Sequence, residues 1–231
     1  IKYYKHFLRA SMMSMEPSTG HVKVWVGGFN YKHFQYDQVK QGRRQIGSTF
    51  KPFLYATAID QLKLSPCDKM PDALYCIDEM KHGNIDAWCP KNSGDRYGRT
   101  RTLKNALANS VNTISARIMD KVGPRPVIDL VKKTGVSSYI PKVPSIALGT
   151  PDISLYELVG AYGTFANKGI YIEPIIINRI EDKNGTALFE VVPNTRDVIS
   201  EEAAYVTVNL MQGVTEHGSG ARLRHAGLEK T

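Results

Sequence analysis

The sequence predicts a mixed α/β chain of the α+β kind. Three observations point to it: a strand-like hairpin pattern opens the chain, helical periods dominate its middle, and an Asn-Gly hairpin followed by one more helix comes last. The 231 residues fit one domain. It divides into a sheet-side hairpin (10–28), a mainly helical region (48–168), and a hairpin with a helix (169–213).

Residues 10–28, ASMMSMEPSTGHVKVWVGG, place turn chemistry at Pro17, Ser18 and Gly20 between two runs, the second of which alternates cleanly. Residues 29–47 read as a loop, with Phe29, Tyr31, Phe34 and Tyr36 assigned to loop packing. At Ser48 the period changes. Phe50, Phe53, Leu54, Thr57 and Ala58 fall on one helix face. Pro52 is tolerated only in a first turn, which sets the helix start near Ser48. Residues 63–100 are irregular, broken by Pro66, Pro71 and Pro90. Residues 102–122 read as one helix with Leu103, Leu107, Ile114 and Ile118 on one side. DLVKKTG, 129–135, is a helix end capped by Gly135. A further amphipathic helix covers 152–168, Asn184-Gly185 turns a hairpin within 170–192, and a helix of about 200–213 follows.

Apolar residues at 42% and charged residues at 23% give the composition of a soluble globular protein. No run approaches the roughly 18 apolar residues of a membrane span. No signal peptide opens the chain, and its first residues read as the interior of a longer sequence. The net charge of +8 is scattered over short clusters at 42–44, 96–101 and 222–224, without an RNP, KH or zinc-finger pattern, so no nucleic-acid partner is expected. Cys67, Cys76 and Cys89 are read as unpaired structural cysteines; the alternatives are one pair plus a free thiol, or a zinc site with His82.

The chemistry is carried by Ser48 and Lys51. A serine hydroxyl needs a base to become a nucleophile. Positions i and i+3 share a helix face, so Lys51 can take the Ser48 proton if burial or a nearby cation keeps it neutral. A first-turn position adds the positive helix end and free N–H groups, which suits acyl transfer through a tetrahedral oxyanion. With 14 serines and 18 lysines, about one S-x-x-K arises by chance, so the helix start carries more weight than the spacing. A second element, ALANSVN, holds Ser110 and Asn112. Ser110 is either a buried serine bonded back to the carbonyl four residues earlier or a proton relay. Asn112 in the second case fixes a substrate peptide carbonyl.

Four stretches then carry a resemblance: SMEPSTGHVKVWVGG, QGRRQIGSTFKPFLYATAID, the run from Asn92 through YGRTRTLKNALANSVN, and VPSIALGTPDISLYELVGAYGTFANKGIY. In this order they resemble the transpeptidase domain of class A (bifunctional) penicillin-binding proteins. The resemblance implies a penicillin-binding-protein and serine β-lactamase-like fold, an antiparallel sheet flanked by helices plus a helical subdomain. It makes Ser48 the acylated nucleophile, Lys51 its base, Ser110 the relay, and Asn112 a contact of substrate and of Lys51. It implies no metal and no cofactor. The implied partners are peptidoglycan stem peptides, glycan strands and β-lactam antibiotics. It also implies a periplasmic location, with an inner-membrane anchor and a glycosyltransferase domain upstream of this chain. Ile46 stands where proline is frequent, with no functional cost expected.

The family's third motif, K-T-G, belongs on a strand after the ALGTPDISLYEL signature. Lys133-Thr134-Gly135 precedes that signature and reads as a helix end, so it is taken as a chance match. Lys230-Thr231 lacks the Ala-Gly that should precede it. The expectation is therefore a C-terminally incomplete domain, with sheet strands outside this chain and no competent enzyme in these residues alone. Two alternatives stand beside the transpeptidase. One is a β-lactamase-like hydrolase, for which Glu157 is the nearest candidate base although LYELVGAY lacks the E-x-x-L-N pattern. The other is a non-catalytic penicillin-binding-like module.

Overall fold

The structure, a computed structural model, describes residues 8–226; Lys230-Thr231 lie outside the described residues. The opening hairpin is β1 (Met12–Met15) and β2 (Val22–Val26), antiparallel, with Met13 opposite Trp25. Next come β3 (Arg43–Gln45), a 3₁₀ turn over Gly47–Phe50 and α1 (Lys51–Leu62). The irregular stretch that follows is bounded by β4 (Lys69–Pro71) and β5 (Thr100–Thr102), which pair antiparallel. Then come α2 (Leu103–Ala108), α3 (Asn112–Val122) and α4 (Pro124–Lys133). β6 (Asp152–Ser154) pairs with β3 and leads into α5 (Leu155–Ala166). β7 (Ile170–Ile172), β8 (Arg179–Glu181), β9 (Ala187–Glu190) and β10 (Thr195–Asp197) form nested antiparallel pairs, β8 with β9 and β7 with β10. Gly185 turns the inner one at φ +84°. The last long helix is α6 (Glu201–His217), capped by Ser200.

The core is built around α1. Every residue from Lys51 to Ile59 is buried. A helix apolar all round must be covered all round, and α3, α4 and α6 pack against it. Phe53 adds an aromatic cluster, edge-on to Tyr162 and tilted against Phe165, both from α5. α5 also lies on β1, and α6 lies on α2. Among the described residues no helix is long and apolar enough to cross a membrane.

Three expectations are corrected. Residues 102–122 are two helices rather than one, separated at Asn109–Val111. The loop 29–47 contains β3. The cysteines are not all unpaired: Cys76 and Cys89 form a disulfide, and Cys67 is free and exposed. What brings that pair together is invisible in the spacing. Ile77 and Trp88, one residue inside each cysteine, exchange two backbone hydrogen bonds of 2.9 Å. The zinc alternative falls as well, because His82 turns its Nε2 to Asp120 at 3.2 Å, and no metal-binding cluster exists among the described residues.

Candidate active site

The site is assembled by a close backbone approach. Gly47, at φ +58°, donates its N–H to Gly149 O at 2.9 Å. A Cβ on Gly149 would lie 1.8 Å from Gly47 O, so only glycine fits there. This contact holds the 3₁₀ turn and leaves Ser48 exposed at the mouth of the site. Tyr162 steadies the turn by donating its Oη to Thr49 O at 2.7 Å. Behind it, Lys51 begins α1 and is only 1% exposed.

Lys51 Nζ reaches three acceptors: Ser110 O at 2.7 Å, Ser110 Oγ at 2.9 Å and Asn112 Oδ1 at 2.7 Å. Three acceptors match the three donors of an ammonium. Ser110 Oγ in turn bonds Ser48 Oγ at 2.8 Å. Among the described residues no hydrogen bond joins Lys51 directly to Ser48, so the chain runs Ser48–Ser110–Lys51. Burial pushes the Lys51 ammonium down to about 8. At pH 7 about a tenth of a group with that pKa is neutral.

Ser110 stands at φ +55°, left-handed backbone that serine rarely adopts. Such a conformation costs about 1–3 kcal/mol and persists only where its surroundings enforce it. Here the break between α2 and α3 allows one residue to present both its carbonyl and its hydroxyl to Lys51. The bond back to the fourth preceding carbonyl is not made; Ser110 N–H bonds Leu107 O, and its hydroxyl goes to the site.

Asn112 opens α3, where its N-cap residue Val111 offers no side-chain oxygen. Asn112 is held by three bonds, two to its side-chain amide and one to its backbone. Oδ1 accepts from Lys51, Nδ2 donates to Lys91 O at 2.8 Å, and its backbone N–H donates to Asn92 Oδ1 at 2.9 Å. Nothing in the sequence marks Lys91 or Asn92 for this role, since both lie in a proline-broken stretch without period. The four expected site residues thus meet at one point. The open side is a cleft of ≈ 330 Å³ with an apolar wall from Leu107, Tyr162, Met211 and Val214.

Glu157 is engaged elsewhere. Its carboxylate accepts from the N–H and Oγ of Ser137, Ser138 and Ser154, at 2.7–3.1 Å. Burial alone would push its pKa up; these donors outweigh burial and hold it at about 2. A carboxylate so saturated is a structural anchor and a poor water-activating base. Lys133-Thr134-Gly135 is likewise remote in kind, for it ends α4. Thr134 is buried with Oγ1 bonded to Val131 O at 2.6 Å, and a Cβ on Gly135 would lie 2.1 Å from Tyr171 Oη.

Comparison with known proteins gives a consistent result. Residues 10–229 match the model of the penicillin binding protein transpeptidase domain. Penicillin-binding protein 1A of Aquifex aeolicus is 34% identical over 217 residues, 93% of this chain and 29% of that protein. Penicillin-binding protein 2D of Bacillus subtilis is 33% identical over 212 residues, 90% of this chain and 30% of that protein. The chain thus spans under a third of these relatives. Among solved structures, penicillin-binding protein 1A from Haemophilus influenzae superposes with a TM-score of 0.85 at 25% identity, covering 94% of this chain and 38% of that one. The PonA1 protein of Mycobacterium tuberculosis in complex with penicillin V gives 0.76 at 23% identity, covering 93% and 58%, a likeness of fold.

Proposed function

The chain belongs to the family of penicillin-binding protein transpeptidase domains, and from that premise we propose that it is a D,D-transpeptidase acting through a Ser48 acyl-enzyme. The observation that carries the proposal is the hydrogen-bonded chain Ser48–Ser110–Lys51. Ser48 Oγ attacks the carbonyl carbon of the D-Ala-D-Ala peptide bond in a peptidoglycan stem. Its proton moves to Ser110 Oγ while the Ser110 proton moves to neutral Lys51. The tetrahedral intermediate collapses, the proton returns by the same route to the leaving amine, and terminal D-alanine departs. An amine from a neighbouring stem then attacks the ester, its proton takes the same path, and Ser48 is released as the cross-link forms. A β-lactam acylates the same serine, with its ring nitrogen as the leaving group.

Donor arithmetic supports this direction. Neutral Lys51 has two N–H donors and one lone pair. Ser110 O and Asn112 Oδ1 are acceptors only and take the two donors. The lone pair is left for Ser110 Oγ, which then has an acceptor site facing Ser48. Asn112 keeps a second amide proton for a substrate carbonyl. The saturated Glu157 supports transfer over hydrolysis. The disulfide Cys76–Cys89 suits an oxidising compartment, as a periplasmic domain held at the inner membrane by sequence outside this chain requires. We expect the 231 residues alone to react poorly, because their Lys133-Thr134-Gly135 does not supply the strand-borne third motif.

The test is release of D-alanine from a stem pentapeptide by the full natural chain. Release that disappears in Ser48→Ala supports the assignment; undiminished release in that variant overturns it.

A further inference from the structure

Beneath the site lies a second set of polar groups that touches neither Ser48 nor Lys51. Asp72 is 0% exposed. Its Oδ1 accepts from Asn92 Nδ2 at 2.7 Å and Thr113 Oγ1 at 2.9 Å, and its Oδ2 from Arg101 Nε at 2.7 Å and Gly98 N–H at 3.0 Å. An ionised carboxylate accepts and cannot donate, so it forces the amide of Asn92 to present Nδ2. That fixes Asn92 Oδ1 toward α3, where it accepts the N–H of Asn112 at 2.9 Å and of Thr113 at 3.2 Å. The first N–H groups of a helix have no intrahelical partner. Val111 leaves them uncapped, and Asn92 supplies the cap from twenty residues earlier.

The next carbonyl along, Lys91 O, accepts Asn112 Nδ2. One dipeptide therefore holds Asn112 at both its backbone and its side chain, while the far end of Asn112 holds Lys51 at 2.7 Å. The segment is itself tethered: Asn92 Nδ2 also donates to Arg96 O, and Cys89, three residues before Asn92, is joined to Cys76, four residues after Asp72.

We propose that Asp72 and Asn92 are a positioning pair that orients Asn112, and through it Lys51, for acylation of Ser48. The inference rests on the transpeptidase reading above. Neither residue meets substrate; each acts through the helix start it holds. A displacement of the lysine by a fraction of an ångström lengthens the relay that the proton must cross, and rates are steep in such distances.

The test uses the full natural chain and a fluorescent penicillin, with rate and final stoichiometry of labelling measured separately. Asn92→Ala removes the cap. Asn92→Asp sets two carboxylates in contact. The exchange D72N/N92D restores one donor facing one acceptor and keeps an acceptor for the N–H groups of Asn112 and Thr113, although it loses the bond to Arg96 O and the charge facing Arg101. The expected result is labelling about tenfold or more slower in each single variant, at full stoichiometry, and faster in the exchange than in Asn92→Asp. Wild-type rates in the single variants overturn the pair's role. So does a lowered stoichiometry at unchanged rate, which marks a purely structural residue. No labelling at Ser48 in the wild-type chain overturns the transpeptidase reading itself, a different failure.

Discussion

Lys51 Nζ and Ser110 Oγ lie 2.9 Å apart, and Ser110 rather than Ser48 is the hydroxyl that the buried lysine meets. The S-x-x-K spacing suggests a base that reaches its serine directly, one turn along a helix. Instead, Ser48 sits in a 3₁₀ turn and the hydrogen-bonded chain passes through a residue 59 positions after the lysine in sequence. On the proposed path, proton transfer depends on the break between α2 and α3.

Ser110→Ala removes the middle of that relay. Acylation by a labelled penicillin should slow by about 10² or more, the usual worth of a positioned acid–base group. Stability should fall by about 1–3 kcal/mol, because one N–H of the buried ammonium loses its acceptor, which cannot by itself account for a slower acylation of the folded protein. Unchanged acylation kinetics would move the proton path elsewhere.

Acylation should also depend on pH through Lys51. In the proposed mechanism the reactive form is neutral, and burial holds the pKa at about 8. The rate therefore climbs with pH and levels off above about 8. The folded-state pKa lies below the ordinary 10.5, so the fold carries the penalty of a buried charge below pH 8 and gains stability as pH rises from 8 toward 10.5. A rate profile from pH 5 to 9.5 checks the first claim, and a profile with no rise in that range would count against it.

Glu157→Gln separates structure from chemistry. The carboxylate's contribution is full above its ordinary 4.5 and is lost as pH falls toward about 2. Its loss should cost on the order of 3 kcal/mol, because six donors lose their charged acceptor. The lifetime of the penicilloyl adduct should not change. A markedly longer lifetime would mean that Glu157 activates the deacylating water.

Reduction of Cys76–Cys89 should lower stability by about 3 kcal/mol, the usual effect of opening a loop of this length. Denaturant unfolding with and without a reductant measures it, and coincident curves would show that the bond adds nothing.

How much of this was legible varies with the range of the forces involved. The start of α1 was readable because Pro52 and the apolar period act locally. The Asn184-Gly185 hairpin was readable for the same reason. The interruption at Ser110 was not, since ALANSVNTIS carries an unbroken helical pattern and its left-handed serine is enforced by Lys51 from another helix. The disulfide depends on the Ile77–Trp88 pairing, which spacing does not reveal. The role of Asp72 and Asn92 was invisible because the contacts that join them to each other and to α3 span twenty or more residues.

Whether Ser48 Oγ is the acylated atom is read from the peptide-mapped mass of the full natural chain after exposure to a labelled penicillin. One stable adduct is expected, on the peptide containing Ser48, absent in Ser48→Ala. An adduct on another residue, or one that survives in Ser48→Ala, would contradict it.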